Sequence, residues 1–300
     1  MGRPREVAVR VPGSSANLGP GFDSLGLALG LHDSVEVSVA SDGVVIEVSG
    51  EGAGRVPCDE AHLVARAMRA AWDRVGDAPP GIRMRCRNAI PHSRGLGSSA
   101  AAAVAGATAA VVLAGRDGEL ERDTILQVAA GMEGHADNAA ASLLGGFVVA
   151  WDAGGNTAQR FSAVRLEAHP GIHPVALVAG TESLTSTTRG LLPERVPLVD
   201  AAFTGSRTAL AVLAFTQRPE LLLPATEDRL HQGYRRPAYP RSADLVDALR
   251  HRGIPAAISG AGPTVLALTT DGNLPPDLDL SGFTARALPV DGTGATVEIG

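Results

Sequence analysis

Residues 90–115, IPHSRGLGSSAAAAVAGATAAVVLAG, restrict the fold more than any other stretch of this chain. A turn carrying Gly95 and Gly97 runs straight into a segment that is small and apolar on every face. An α-helix of that composition offers no side to water, so it has to be buried among other elements. Gly106 and Thr108 interrupt the apolar run, and it is too short to cross a bilayer. The burial must come from the protein's own layers. The pattern predicts a helix capped by serine and stopping near Gly115.

The covering elements are legible on either side. Val7, Val9 and Val11 alternate and predict a strand ending at Pro12, followed by a loop through Phe22. DSVEVSVA (33–40) and GVVIEVSG (43–50) alternate again across Ser41-Asp42-Gly43, a hairpin signal. Leu63, Val64, Ala67, Ala71 and Val75 have helical spacing, with Asp59 as the expected cap. Residues 81–91 read as a strand and 122–134 as a helix. After LLGGFVVAWD (143–152) the pattern restarts. PVALVAG (174–180) is a buried strand, 198–215 and 242–253 are helices, and 255–269 reads as strand, glycine turn, strand. Residues 272–283 read as a loop. A chain of 300 residues makes one large domain or two small ones. The restart divides it into 1–150 and 151–300, a two-layer α+β protein in two halves. Aromatics are only 3%, so the core is built from Ala, Val, Leu and Ile.

Charge and cysteine content exclude several classes. The net charge is -6 and no basic stretch offsets it, which argues against a nucleic-acid partner. Cys58 and Cys86 are too few for a disulfide framework and have no Cys or His at metal-ligand spacing. The N-terminus has no apolar core after a basic start, so neither a secretory signal nor a membrane is expected, and a cytoplasmic location is. All 26 basic residues are arginine. No mechanism for this chain can use a lysine.

That absence sharpens the question of the glycine turn. Phosphate loops of the common type end in Gly-Lys-Ser/Thr, whereas Gly97 is followed by Ser98. Main chain can still do the work. Gly95 and Gly97 let successive N–H groups converge, and the unpaired amides at the helix start are electropositive. Ser98 or Ser99 can add a hydroxyl for Mg²⁺. The same residues also suit a tight strand-to-helix connection and nothing more. Two further glycine loops, 12–26 with Asn17 and Asp23 and 259–264 with Gly260, read equally well as turns. In 131–146, Glu133, His135, Asp137 and Asn138 fall within six residues, a polar density that marks either a buried site or a helix cap.

Taken together these loops resemble a known family. PHSRGLGSSAAAA is similar to the central motif of the GHMP small-molecule kinases. VPGSSANLGPGFDSLGLAL, MEGHADNAAASLLGG and ISGAGPTVLAL resemble, in the same order, motifs of the homoserine kinase branch. Gly13-Ser14 and Gly233 depart from the branch pattern. The resemblance implies an N-terminal domain like the second domain of ribosomal protein S5, a ferredoxin-like C-terminal domain, and an active site between them. It implies phosphorylation of L-homoserine by ATP with Mg²⁺, in threonine biosynthesis, and a homodimer. Pro91, His92, Ser93, Arg94, Gly95, Leu96, Gly97, Ser98, Ser99, Ala100 and Ala101 would wrap the triphosphate, and Ser99 and Glu133 would hold the metal. Asn17, Asp23, His135, Asp137, Asn138 and Gly260 would line the homoserine pocket. A carboxylate such as Asp23 or Asp137 suits the substrate ammonium, and Arg189 or Arg235 its carboxylate. Catalysis would rest on orientation, Mg²⁺ and loop amides, with Asn138 or Asp137 at the attacking hydroxyl. The rival readings are another GHMP kinase and a silent sensor that binds nucleotide or amino acid without turnover.

Overall fold

In the computed structural model, which describes residues 3–117, 120–154, 160–183 and 185–300, β1 (Glu6–Asn17) runs on past Pro12. β2 (Gly21–Ala40) begins before Phe22, so most of the expected loop is paired strand. The pairing shifts register after Pro12 and after Ala16. Alternation fails to signal this half because both faces are covered. Ser14, Ser15 and Ala16 are buried, as are Leu25, Leu27, Ala28 and Leu29, and a period-two pattern needs one wet face.

β3 (Gly43–Gly50) is not the hairpin partner of β2. The chain passes through α1 (Leu63–Val75) and returns as β4 (Gly81–Asn88), which lies between them, antiparallel to β2 and parallel to β3. A turn signature reverses the chain but does not decide which strand takes the neighbouring place. The cap of α1 also differs: His62 Nδ1 accepts from Val64 N at 3.2 Å, while Asp59 serves the preceding turn through Ala61 N.

α2 (Ser98–Leu113) is the all-apolar helix, buried from Ala100 onwards except at Ala102. Its cap is Gly97 and not serine. Trp72 of α1 donates to Ala110 O at 3.0 Å. α3 (Arg122–Glu133) and α4 (Asp137–Leu144) complete this helical layer. β5 (Phe147–Asp152) pairs with the first half of β2, and β6 (Phe161–Leu166) pairs with β5, so the first sheet continues past residue 150.

A second sheet begins at β7 (His173–Ala179). Then come α5 (Thr185–Arg189), α6 (Leu198–Thr216), α7 (Leu222–Ala225), α8 (Gln232–Arg235) and α9 (Pro240–His251). β8 (Ala256–Ile258), β9 (Val265–Thr269) and β10 (Phe283–Ala287) finish it in the order β10-β7-β9-β8. β11 (Thr296–Ile299) returns to the first sheet and pairs with β1, Val7 opposite Ile299. Among the described residues the first sheet has seven strands, three of them off a simple halving at residue 150 or at its edge. The second sheet is covered on both faces. Ala176, Val178, Leu266 and Leu268 join the main core, while Val175, Leu177 and Val265 pack with Leu245 and Leu249 of α9. α6 is long and apolar enough to cross a membrane by length and composition, a property not anticipated from the sequence. Here its Ala211, Ala214 and Phe215 are buried, and Phe215 stacks on Phe147 of β5 at 4.9 Å.

Candidate active site

The β1–β2 turn, the turn before α2 and the β8–β9 loop meet where the two sheets adjoin. Asn17, at φ 68°, donates Nδ2 to Gly260 O at 2.9 Å, and its Oδ1 accepts Asp23 N at 3.1 Å. Gly260 N returns a bond to Ala16 O at 3.0 Å. Ser259 Oγ reaches Gly95 O at 2.6 Å. A Cβ on Gly95 would stand 2.3 Å from Ser259 O, so the close approach of these loops requires glycine there. Together they enclose a cavity of ≈ 370 Å³.

The N-terminus of α2 opens into this cavity. Gly97 caps it at φ 71° with no side-chain hydrogen bond, so the first amides of the helix are left for something else. Ala101 is past that group, because its N–H closes the first turn on Gly97 O at 2.9 Å. Ser99 Oγ donates to Glu133 Oε2 at 3.0 Å. Burial raises the proton affinity of Glu133, the Ser99 hydroxyl opposes this, and the net shift is upward. Among the described residues no arginine pairs with Glu133.

Beyond it lies a charged pocket. Asp23 and Arg189 form a two-pronged pair at 2.7 and 3.0 Å. Arg235 is 2% exposed and makes no ion pair among the described residues; it donates to Thr188 O at 3.3 Å and lies 3.4 Å from His231 Nδ1. Burial lowers its pKa, the direction expected of a desolvated cation. The Phe22 ring centroid lies 5.3 Å from the guanidinium carbons of both Arg189 and Arg235, within reach of cation–π attraction. Asp137, 1% exposed, takes His135 Nδ1 at 2.6 Å and Asn138 N at 2.7 Å on the same Oδ1. Burial alone would lower the His135 pKa, but Asp137, with Asp23 and Glu133, outweighs it and the net shift is upward. Ligating atoms of Asp23, His135 and Asp137 lie within 4.8 Å of one another. Ser14 Oγ donates to Asn138 Oδ1 at 2.9 Å, which leaves the Asn138 Nδ2 as a donor for a ligand.

Val35, Val56, Leu63, Val64, Ala102 and Ala105 give the same cavity apolar lining. Asp33 also lines it, and burial pushes its pKa up to about 6.

Of the residues singled out in the sequence, Pro91, His92, Ser93, Gly95, Leu96, Gly97, Ser98 and Ser99 line the cavity. So do Asn17, Asp23, Glu133, His135, Asp137, Asn138, Arg189, Arg235 and Gly260. Arg94, Ala100 and Ala101 do not. Arg94 turns away to Ala179 O at 3.0 Å and to Glu182, and the two alanines are packed in the core. Gly233 is exposed, and the ambiguity between neighbouring arginines resolves in space: Arg235 is inside, while Arg236 is exposed and pairs with Asp244 and Asp247. Ser14, Phe22, Asp33 and His62 escaped the sequence reading. Only Ser14 and Phe22 lay within a marked motif.

Two family profiles match the chain: the GHMP kinases N terminal domain over residues 62–146 and the GHMP kinases C terminal domain over residues 207–277. The fold is that of a GHMP-type small-molecule kinase. The chain is 54% identical to the homoserine kinase of Streptomyces avermitilis over 298 residues, 98% of this chain and 96% of that protein. It is 54% identical to the homoserine kinase of Rhodococcus opacus, with 88% of each covered. The crystal structure of homoserine kinase from Cytophaga hutchinsonii superposes with a TM-score of 0.83 at 25% identity, covering 99% of both chains. Mevalonate diphosphate decarboxylase from Staphylococcus aureus, 18% identical with a TM-score of 0.68 and 98% of each chain covered, shares the fold alone. The chain thus belongs to the homoserine kinase branch of the GHMP kinase family.

Proposed function

We propose that the protein transfers the terminal phosphoryl group of ATP to the side-chain hydroxyl of L-homoserine, giving ADP and O-phospho-L-homoserine. The observation that carries this reading is Arg235: a buried guanidinium without a carboxylate partner among the described residues, in one cavity with an uncapped helix N-terminus. An isolated buried cation is costly unless an anion joins it. A zwitterionic amino acid supplies that anion, and its ammonium suits the two carboxylates opposite, Asp23 and Asp137. A sugar or a simple alcohol supplies neither charge.

The triphosphate lies against the amides of Ser98, Ser99 and Ala100, which replace the missing lysine with main-chain dipoles. Ser99 Oγ and Glu133 Oε2 suit Mg²⁺, being hard oxygen donors in which a half-buried carboxylate has no arginine partner among the described residues. Mg²⁺ supplies charge neutralisation on the phosphates when bound. The substrate carboxylate is held by Arg235 and, as it enters, by Arg189 released from Asp23. Asn138, its carbonyl fixed by Ser14, can donate Nδ2 to the attacking oxygen and cannot take its proton. The carboxylate of the adjoining residue, Asp137, is an acceptor lining the same cavity. Phosphoryl transfer of this kind needs chiefly position and charge.

A coupled ADP-release assay on homoserine, mevalonate and galactose tests the reading. Homoserine should lead in kcat/KM by at least ~100-fold, because mevalonate brings no ammonium for Asp23 and Asp137 and galactose brings neither charge. Comparable turnover of either competitor refutes the substrate assignment, and tight ATP binding with no turnover on any alcohol favours the silent sensor. In Asp137→Asn, loss of many orders in kcat at unchanged KM would make Asp137 a true base.

A further inference from the structure

His231 is wholly buried beside Arg235 and does not itself line the cavity. Its Nε2 lies 2.7 Å from Gly19 O, and Arg235 Nη1 lies 3.4 Å from its Nδ1. A carbonyl oxygen can only accept and a guanidinium can only donate. These two neighbours therefore fix one state of the ring, with the proton on Nε2, a lone pair on Nδ1 and no net charge. Burial lowers the His231 pKa, and Arg235 acts in the same sense, against Asp228, the Gly19 carbonyl and Asp23. A protonated ring would set N–H against N–H and add a second buried cation beside Arg235. The segment is also held from outside the ring. Asp228, its side chain likewise buried, accepts Leu230 N at 2.7 Å, His231 N at 3.1 Å and Gln232 N at 2.8 Å. The Phe22 ring lies 5.2 Å from the imidazole, centroid to centroid.

Arg235 engages Nε with Thr188 O and Nη1 with the imidazole, while its Nη2 has no bond among the described residues. A long side chain delivers its donors to one place only when packing and hydrogen bonds lock its rotamer. At 3.4 Å the imidazole contact is weak as a hydrogen bond, so what it contributes is orientation. We propose that His231 is a positioning residue for the amino-acid substrate: its neutral imidazole takes Nη1 of Arg235 and leaves Nη2 for the substrate carboxylate. This rests on the kinase activity proposed for the chain, in which Arg235 binds that carboxylate. The same ring reaches Gly19, in the turn that leads to Phe22 and Asp23. One imidazole thereby ties the site for the substrate carboxylate to the site for its ammonium.

The test measures kcat/KM of the full chain for L-homoserine and for L-homoserine amide, in which a neutral group replaces the carboxylate, at saturating ATP. The wild type should prefer homoserine by ~100-fold or more. His231→Gln can still donate to Gly19 O but offers no acceptor at the place of Nδ1. Its preference for homoserine should shrink by at least ~10-fold, through a higher KM for homoserine at an unchanged KM for ATP. His231→Asn keeps an acceptor beside Arg235 and gives up the bond to Gly19, and its preference should match that of the wild type. A His231→Gln protein that loses activity on both substrates alike, with the preference intact, overturns the inference and marks a structural role only. So does a His231→Asn protein whose preference collapses, since the acceptor would then not matter. If one variant does not fold, the other decides. Equal use of the two substrates by the wild type removes the carboxylate site at Arg235 and this inference with it. No turnover of homoserine at all overturns the kinase activity itself.

Discussion

Asp33 should make the ligand-free protein less stable as pH rises through the weakly acidic range. Its pKa climbs from 3.8 to about 6 because burial outweighs the two amide bonds that oppose it. The folded state thus holds a proton that the unfolded chain has released, and each pH step between these values favours unfolding. The full difference is about 3 kcal/mol. About 1 kcal/mol of it has accrued by pH 4.5 and essentially all by pH 7.5. Asp33→Asn removes the charge and retains the Oδ1 acceptor. Relative to wild type, the variant should therefore gain about 2 kcal/mol of stability between pH 4.5 and pH 7.5. Urea unfolding without nucleotide at the two pH values, followed by the fluorescence of Trp72 and Trp151, measures this. An Asp33→Asn protein destabilised by the same amount at both values would refute the reasoning, since it would mean the amide bonds to the charged form outweigh its burial.

Arg235→Met should raise the KM for homoserine by about 100-fold, the scale of a lost buried charge contact, while ATP affinity measured by calorimetry is unchanged. Because the arginine has no ion-pair partner among the described residues, the same variant should be no less stable to urea than wild type. In Gly97→Ala the new Cβ would stand 2.2 Å from Ser14 Oγ, on a residue already at φ 71°. The conformation alone costs about 1 kcal/mol, and displacing Ser14 frees Asn138, so kcat should fall at least ~10-fold at steady state. Glu133→Gln should raise the Mg²⁺ concentration for half-maximal rate by about 10-fold or more, read from a metal titration at fixed ATP.

Much of this protein is local in origin. An all-apolar segment after a glycine turn can only be a buried helix, and α2 is one. The polar cluster at 133–138 and the glycine loops declare themselves because such residues are costly inside a core unless something uses them. Where the chain is buried on both faces, as along Ser14 to Leu29, alternation vanishes and the strands became legible only once paired. Sequence alone therefore determined the one-sided strands, the longer helices, the family and most of the residues around the cavity. Tertiary structure decided which strand separates β2 from β3, that the C-terminal strand closes back on β1, and that Arg235 is inside while Arg236 is outside. It also brought Asp33 and His62, far apart in the sequence, to the wall of one cavity. Periodicity reports only a residue's nearest neighbours along the chain, whereas the worth of a buried charge depends on everything that packs around it.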